Sequence, residues 1–302
     1  WPFSTLGWPD KTPALKTFYP NSVMETGHDI LFFWVARMIM LGCRFMDEIP
    51  FKHIYLHAMV RDGQGQKMSK TKGNVVDPLS VVDKHGADAL RFTLAALTVA
   101  GRSIKLSDQR LAGYRNFATK VWNASRFVLM NFDDFDAEAT GYTTSPADRW
   151  ILTKLERASQ LIDTQLKGFD FGSAASTVYQ FIWHELCDWY IEFAKIGLQG
   201  DGRVATQHTL RRVLDGALRM LHPFMPHLTE EIWQKLPRMA GDAPALIVSS
   251  YAFSNGEEFP DETQQVDAVC DIVSALRTIR GENQISPSAT IGVIVNADAN
   301  AS

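Results

Sequence analysis

Residues Gln66–Asn74 read QKMSKTKGN. Lys67, Lys70 and Lys72 crowd into this one stretch, with Gly63 and Gly65 just before it and Gly73 near its end. Glycine predicts a mobile backbone, and lysine offers phosphate a strong point charge. Ser69 and Thr71 add hydroxyls. The chain as a whole is acidic, with 30 Lys+Arg against 34 Asp+Glu and a formal net charge of −4 over 302 residues. A protein that bound polyanions along its whole surface would be basic, so any phosphate binding here is local. By composition alone the stretch is a solvated loop. As chemistry, a cationic loop closing over a polyphosphate can stabilise charge that builds on a departing pyrophosphate.

Outward from the loop, HIYLHAMV (53–60) reads as a buried strand. HDILFFWVARMIML (28–41) reads as an apolar helix after Gly27, and ADALRFTLAAL (87–97) as a second amphipathic helix. Strand and helix in alternation predict an α/β half-domain up to about residue 106. From Ser107 the signal turns helical. Leu111, Tyr114, Ala118, Val121, Ser125 and Val128 fall on one stripe of a helix over 110–130. An acidic linker, DDFDAEATGYTTSP (133–146), ends at Ser145, an N-cap with Pro146 at the first helical position and Asp148 three residues on. Helices are predicted over about 148–166, 173–198, 204–221 and 227–236, and such long helices with short connections make a bundle. A further helix over 264–280 is expected to close at Gly281, followed by a strand, ATIGVIVNA (289–297). The fold class is α/β plus all-α.

Cys43, Cys187 and Cys270 are far apart, which indicates neither a disulfide framework nor a cysteine zinc site and fits a reducing cytoplasm. The longest apolar run, Ile30 to Met40, contains Arg37 and is too short to span a bilayer. The chain opens WPFSTLGWPD and ends NADANAS, and it reads as a piece of a longer protein with no signal peptide.

Between Gly101 and Met130 six basic residues, Arg102, Lys105, Arg110, Arg115, Lys120 and Arg126, stand against one acid, Asp108. Arg115, Thr119, Trp122 and Arg126 share a helical face, with Asn116, Lys120 and Asn123 beside it. Such residues suit phosphates and unstacked RNA bases. They also suit a charged solvated face with Trp122 in the core. His184, Asp188 and Glu192, at i, i+4 and i+8, read as a solvated polar stripe in preference to a metal face. His222 and His227 flank prolines and read as structural.

QKMSKTKGNVVDP resembles the second signature loop of class I aminoacyl-tRNA synthetases, usually written KMSKS, with Thr71 in place of the final serine. FYPNSVMETGHDILFFWVARMIMLG (18–42), PFKHIYLHAMVRDGQGQKMSKTKGNVVDPL (50–79), GYRNFATKVWNASRFVLMN (113–131), FIWHELCDWYIEFAK (181–195), LHPFMPHLTEEIW (221–233) and SALRTIRGENQISPSATIGVIV (274–295) look like the bacterial valyl-tRNA synthetases, so the likeness covers essentially the whole chain. The resemblance implies the C-terminal part of a Rossmann-type catalytic domain over 1–106, a helical anticodon-binding domain over 107–258 and a small α/β segment over 259–302.

It further implies a cytoplasmic, monomeric parent that uses ATP with Mg2+ to form valyl-adenylate and passes the valyl group to tRNA(Val). Isoleucyl and leucyl enzymes share the loop, but FFWVARMIM and WNASRFVLMN favour valine. A reading from another class makes the piece an RNA-binding module alone. Carried over residue by residue, Lys67 and Lys70 are catalytic, and Gly27, Asp29, His57 and Ser69 join them around ATP. Trp34 lines the amino-acid pocket, while Arg115, Asn116, Lys120, Trp122, Asn123 and Arg126 meet tRNA. No metal site, zinc or bound cofactor is implied. Plainer readings make Gly27 a turn, Asp29 a helix N-cap, Trp34 a core residue and His57 structural. The resemblance places the HIGH-type signature and the editing domain upstream and a coiled-coil arm downstream. No HxGH occurs here, so the chain alone is expected not to make adenylate.

Overall fold

Two short parallel ribbons organise the first third of the chain. Strand β1, Asn21–Gly27, pairs in parallel with β2, Phe51–His57, in register from Asn21 opposite Phe51 to Gly27 opposite His57. Strand β3, Val60–Arg61, pairs in parallel with β4, Ile104–Lys105. The computed structural model describes residues 3–98, 102–251, 255–286 and 288–294. A short helix α1, Pro13–Phe18, precedes β1, and helix α2, Ala36–Met46, connects β1 to β2. The single helix expected over 28–41 is three pieces: a 3-10 turn at His28–Ile30, a π-helical turn at Leu31–Val35, then α2. Helices α3, Pro78–His85, and α4, Ala87–Ala96, lie between β3 and β4. The lysine-rich stretch therefore sits between β3 and α3.

The helical part follows the expected pattern closely at its start. Helix α5, Asp108–Leu129, is capped by the Ser107 hydroxyl and buries Leu111, Val121, Ser125 and Val128 of the expected stripe, together with Phe117. Helix α6, Pro146–Lys167, starts with a complete capping box. Ser145 Oγ accepts from Asp148 N at 3.1 Å, and Asp148 Oδ2 accepts from Ser145 N at 2.9 Å. The helix expected over 173–198 is one rod: α7, Phe171–Gln180, a π-helical stretch Phe181–Tyr190, and α8, Ile191–Gly197. Helices α9, Arg203–Leu221, and α10, Pro226–Trp233, complete the bundle. Trp150, Trp233, Tyr190, Phe117 and Ile162 are fully buried in its core.

Phe92 of α4 belongs to that same core, with its ring 5.2 Å from Phe117 and 6.0 Å from Phe224. The α/β part and the bundle are therefore joined by apolar burial. Gly172 marks how tight the join is, because a Cβ there would lie 2.1 Å from the Thr98 carbonyl oxygen. That neighbour is backbone and cannot swing aside. Gly172→Ala is expected to destabilise the chain by about 1–3 kcal/mol, the usual range for overpacking. A thermal midpoint equal to that of the wild type in circular dichroism would show that the join is loose.

Helix α11, Pro260–Glu282, packs on α6. Val266 and Cys270 enter the bundle core, and Asp267 accepts from Trp150 Nε1 at 2.8 Å and from Lys154 Nζ at 3.0 Å. Two expectations fail here. Gly281 lies inside the helix, which ends at Glu282 with Asn283 as its C-cap, and Gln284 takes the left-handed backbone conformation at φ 52°. The strand expected over 289–297 is not formed in residues 289–294, and residues 295–297 lie outside the described residues. An alternating apolar run makes a strand only where a neighbour supplies the hydrogen bonds, and no described strand lies beside it.

Candidate functional site

Gly27 and His57 face each other at the carboxyl ends of β1 and β2. Open α/β sheets bind ligands at that edge. Gly27 has an ordinary φ of −76°, so its freedom to adopt unusual angles is not used. Its smallness is used. A Cβ would sit 2.7 Å from Asp29 Oδ1 and 3.5 Å from His57 Nε2. Asp29 is exposed in the 3-10 turn after β1, and it is Gly27, not Asp29, that occupies the cap position. The N-cap reading of Asp29 is thereby corrected, and its carboxylate lies back against Gly27. His57 Nδ1 lies 3.1 Å from Ala58 O, and its Nε2 is 3.7 Å from a Glu25 carboxylate oxygen. Trp34 is 58% exposed, so the core reading does not hold for it. Phe32 and Phe33 are exposed with it. The π-helical turn presents this aromatic run outward from the strand ends.

The lysine loop has a frame that composition does not suggest. Asp62 accepts from Asn74 Nδ2 at 2.8 Å, Gln66 N at 2.7 Å and Gln64 N at 3.1 Å. The Asn74 amide and these backbone donors hold the Asp62 carboxyl below its usual range. Asn74 Oδ1 accepts from Ser69 N at 2.9 Å. Ser69 Oγ caps the single turn Lys70–Lys72 by accepting from Lys72 N at 3.2 Å, and Gly73 closes that turn at φ 65°. An aspartate and an asparagine at the two ends thus clamp the loop, while Gly65 and Gly73 fill left-handed positions. Lys67, Lys70 and Lys72 are exposed and make no ion pair among the described residues. Three like charges held together this way favour an incoming anion.

Sequence reasoning missed two parts of this cluster. The Asp62–Asn74 clamp was signalled only by turn-forming residues at either end. Lys105 was read as part of the helical patch, yet β3–β4 pairing sets it opposite Arg61 and lays its side chain against Gly65. Arg61 Nη1 donates to Gly65 O at 3.2 Å.

On α5, Arg115, Asn116, Asn123 and Arg126 are exposed, and Trp122 is half-buried against the bundle core. Lys120 is engaged within the protein. Its ammonium pairs with Asp188 and lies 3.9 Å over the Trp183 ring. Arg115 Nη1 donates to Lys84 O at 3.1 Å. His184 and Glu192 are taken up by Asp188 and Lys195, and no metal-holding group of three such side chains occurs among the described residues. His222 Nδ1 and the Thr229 hydroxyl meet at 2.7 Å, in keeping with a structural role.

Two family models match the chain: tRNA synthetases class I (I, L, M and V) over residues 1–107, and the anticodon-binding domain of tRNA ligase over residues 148–295. The chain belongs to the class I tRNA synthetases. This class I synthetase chain is 52% identical to the valine–tRNA ligase of Geobacter sulfurreducens, with 98% of its own length covered and 34% of that protein's. It is 46% identical to the valine–tRNA ligase of Aquifex aeolicus, over 96% of the chain and 26% of that protein. It therefore spans about a third or less of the curated relatives it matches. A Mycobacterium tuberculosis methionyl-tRNA synthetase, solved in complex with methionyl-adenylate, shares the fold at a TM-score of 0.69 and 19% identity, over 85% of this chain and 51% of that one. Among the described residues no helix is long and apolar enough to cross a membrane.

Proposed function

We propose that this class I synthetase chain is the part of a valine–tRNA ligase that carries the second signature loop and the anticodon-binding helices. The parent works in the cytoplasm, activates valine with ATP and transfers it to tRNA(Val). The observation that carries this reading is the convergence of Gly27, Asp29 and His57 at the carboxyl edge of a parallel strand pair whose chain continues within a few residues into a loop of unpaired lysines. In it, Asp29 accepts from ribose hydroxyls, Gly27 clears the space, and His57 contacts the adenosine. Lys67, Ser69 and Lys70 take the phosphates, and Trp34 borders the amino acid. Mg2+ enters with ATP as part of the substrate. The exposed α5 residues Arg115, Asn116, Asn123 and Arg126, with Trp122, meet tRNA. Lys120 joins them only by exchanging Asp188 for a phosphate. Both relatives described above are valine–tRNA ligases, which favours valine over isoleucine or leucine. The chain by itself is proposed to bind tRNA without forming adenylate.

Gly27→Ala in the parent tests the nucleotide half of this reading. The methyl group must displace the Asp29 carboxylate, which would otherwise lie 2.7 Å from it. Losing a charged hydrogen bond to ribose corresponds to about a tenfold rise in KM for ATP, with the fold intact because φ suits alanine. An ATP KM equal to that of the wild type would remove Gly27 and Asp29 from the site.

A further inference from the structure

A cavity of about 620 Å³ opens between α4, α5 and α7. That volume lies within the roughly 300–1,000 Å³ typical of small-ligand sites. Phe92, fully buried, forms its floor. Tyr114 and Tyr179 form two walls, with ring centroids 6.3 Å apart and planes at 89°. Tyr179 is backed by Trp183, stacked at 5.3 Å and 16°. Gln109, Arg110, Ser176 and Gln180 complete the lining. Arg110 is exposed and makes no ion pair among the described residues, and no carboxylate lines the cavity.

This set of groups is selective. Two phenol rings at right angles offer a flat face and an edge to a planar ligand. Glutamine amides donate and accept along the edge of a heterocycle, and an unpaired guanidinium takes an anion. A planar heterocycle bearing a phosphate is a nucleotide. Unstacked RNA nucleotides are held in this way, by aromatic stacking, edge hydrogen bonds and arginine. The cavity is also well placed, since Gln109 and Gly113 of its lining continue at helical spacing into Asn116, Lys120 and Asn123 on α5.

We propose that this cavity takes up one unstacked nucleotide of the RNA that lies along α5. The proposal rests on the tRNA-binding reading above and adds a site to it. Because α4 and α7 come from different parts of the chain, a nucleotide held here contacts the α/β part and the bundle together.

The test titrates the chain with a bacterial valine tRNA transcript, read by fluorescence anisotropy at several stated salt concentrations. Wild type, Tyr179→Leu, Arg110→Gln and Arg126→Ala are compared. Tyr179→Leu is expected to weaken binding about tenfold through lost stacking. Arg110→Gln is expected to weaken binding and to lower the slope of log affinity against log salt by about one. In parallel, a 4-thiouridine-substituted transcript is cross-linked to the wild type, and cross-links are expected in the peptides carrying Tyr114 or Tyr179. Tyr179 also packs on Phe117, so if Tyr179→Leu unfolds, the exposed Arg110 variant and the cross-link map decide. Wild-type affinity and salt slope in Arg110→Gln, with no cross-link at the cavity and weaker binding by Arg126→Ala, would overturn the cavity while leaving the RNA reading intact. No binding by the wild type would overturn both.

Discussion

Lys70→Ala in the proposed parent ligase is expected to slow valine-dependent pyrophosphate exchange about a hundredfold, the cost of removing one preorganised donor from a developing charge. Binding of valine is expected to change by less than about threefold, because the proposed site gives the phosphates to the loop lysines and the amino acid to Trp34. The structure shows why Lys70 has this leverage. Its backbone opens the turn that Ser69 caps, Asn74 holds Ser69 N, and Asp62 holds Asn74, so its anchor is fixed by a chain of hydrogen bonds. Its ammonium is exposed and has no carboxylate partner among the described residues. A charge held ready in this way needs little reorganisation when phosphate charge builds beside it. Exchange within about threefold of wild type would take Lys70 out of the chemistry.

Asp148→Ala is expected to lower the stability of the chain by about 2–4 kcal/mol, from one buried hydroxyl deprived of its charged acceptor and one lost cap. Asp148 is 2% exposed, and its two carboxylate oxygens do different jobs. One accepts from the Tyr190 hydroxyl at 2.6 Å, and the other closes the capping box with Ser145. Tyr190 is fully buried, so removing the carboxylate leaves its hydroxyl away from water with Thr209 in place of a charged acceptor. Asp148→Asn keeps an acceptor for Tyr190 and should lose about half as much. At about 2–4 °C per kcal/mol for a chain of this size, the alanine variant should melt roughly 5–15 °C lower. A shift under about 2 °C would mean that neither bond contributes to stability.

The parts of this molecule that sequence reading captured are those governed by local rules. The α5 stripe follows from the 3.6-residue period, and the Ser145 cap follows from side-chain geometry within one turn. The exposed lysines follow from their loop composition. What it missed depends on partners far away in the chain. Asn21–Gly27 is too polar to announce a strand and becomes one because β2 lies beside it. Lys105 reaches the loop only through β3–β4 pairing. Lys120 looked free on its helix, but Asp188 comes from another helix to meet it. The π-helical stretches at 31–35 and 181–190 have a period that an apolar pattern of this length does not separate from an ordinary helix.

The central claim is that the lysine loop acts on ATP in the first step, while the helices hold RNA for the second. Rapid-quench measurement on the Lys70→Ala parent separates the two steps. One arm starts from ATP and valine, and the other from preformed enzyme-bound valyl-adenylate mixed with tRNA. Slow adenylate formation with transfer at the wild-type rate is the predicted result. Transfer slowed as much as activation, or activation unchanged, would contradict it.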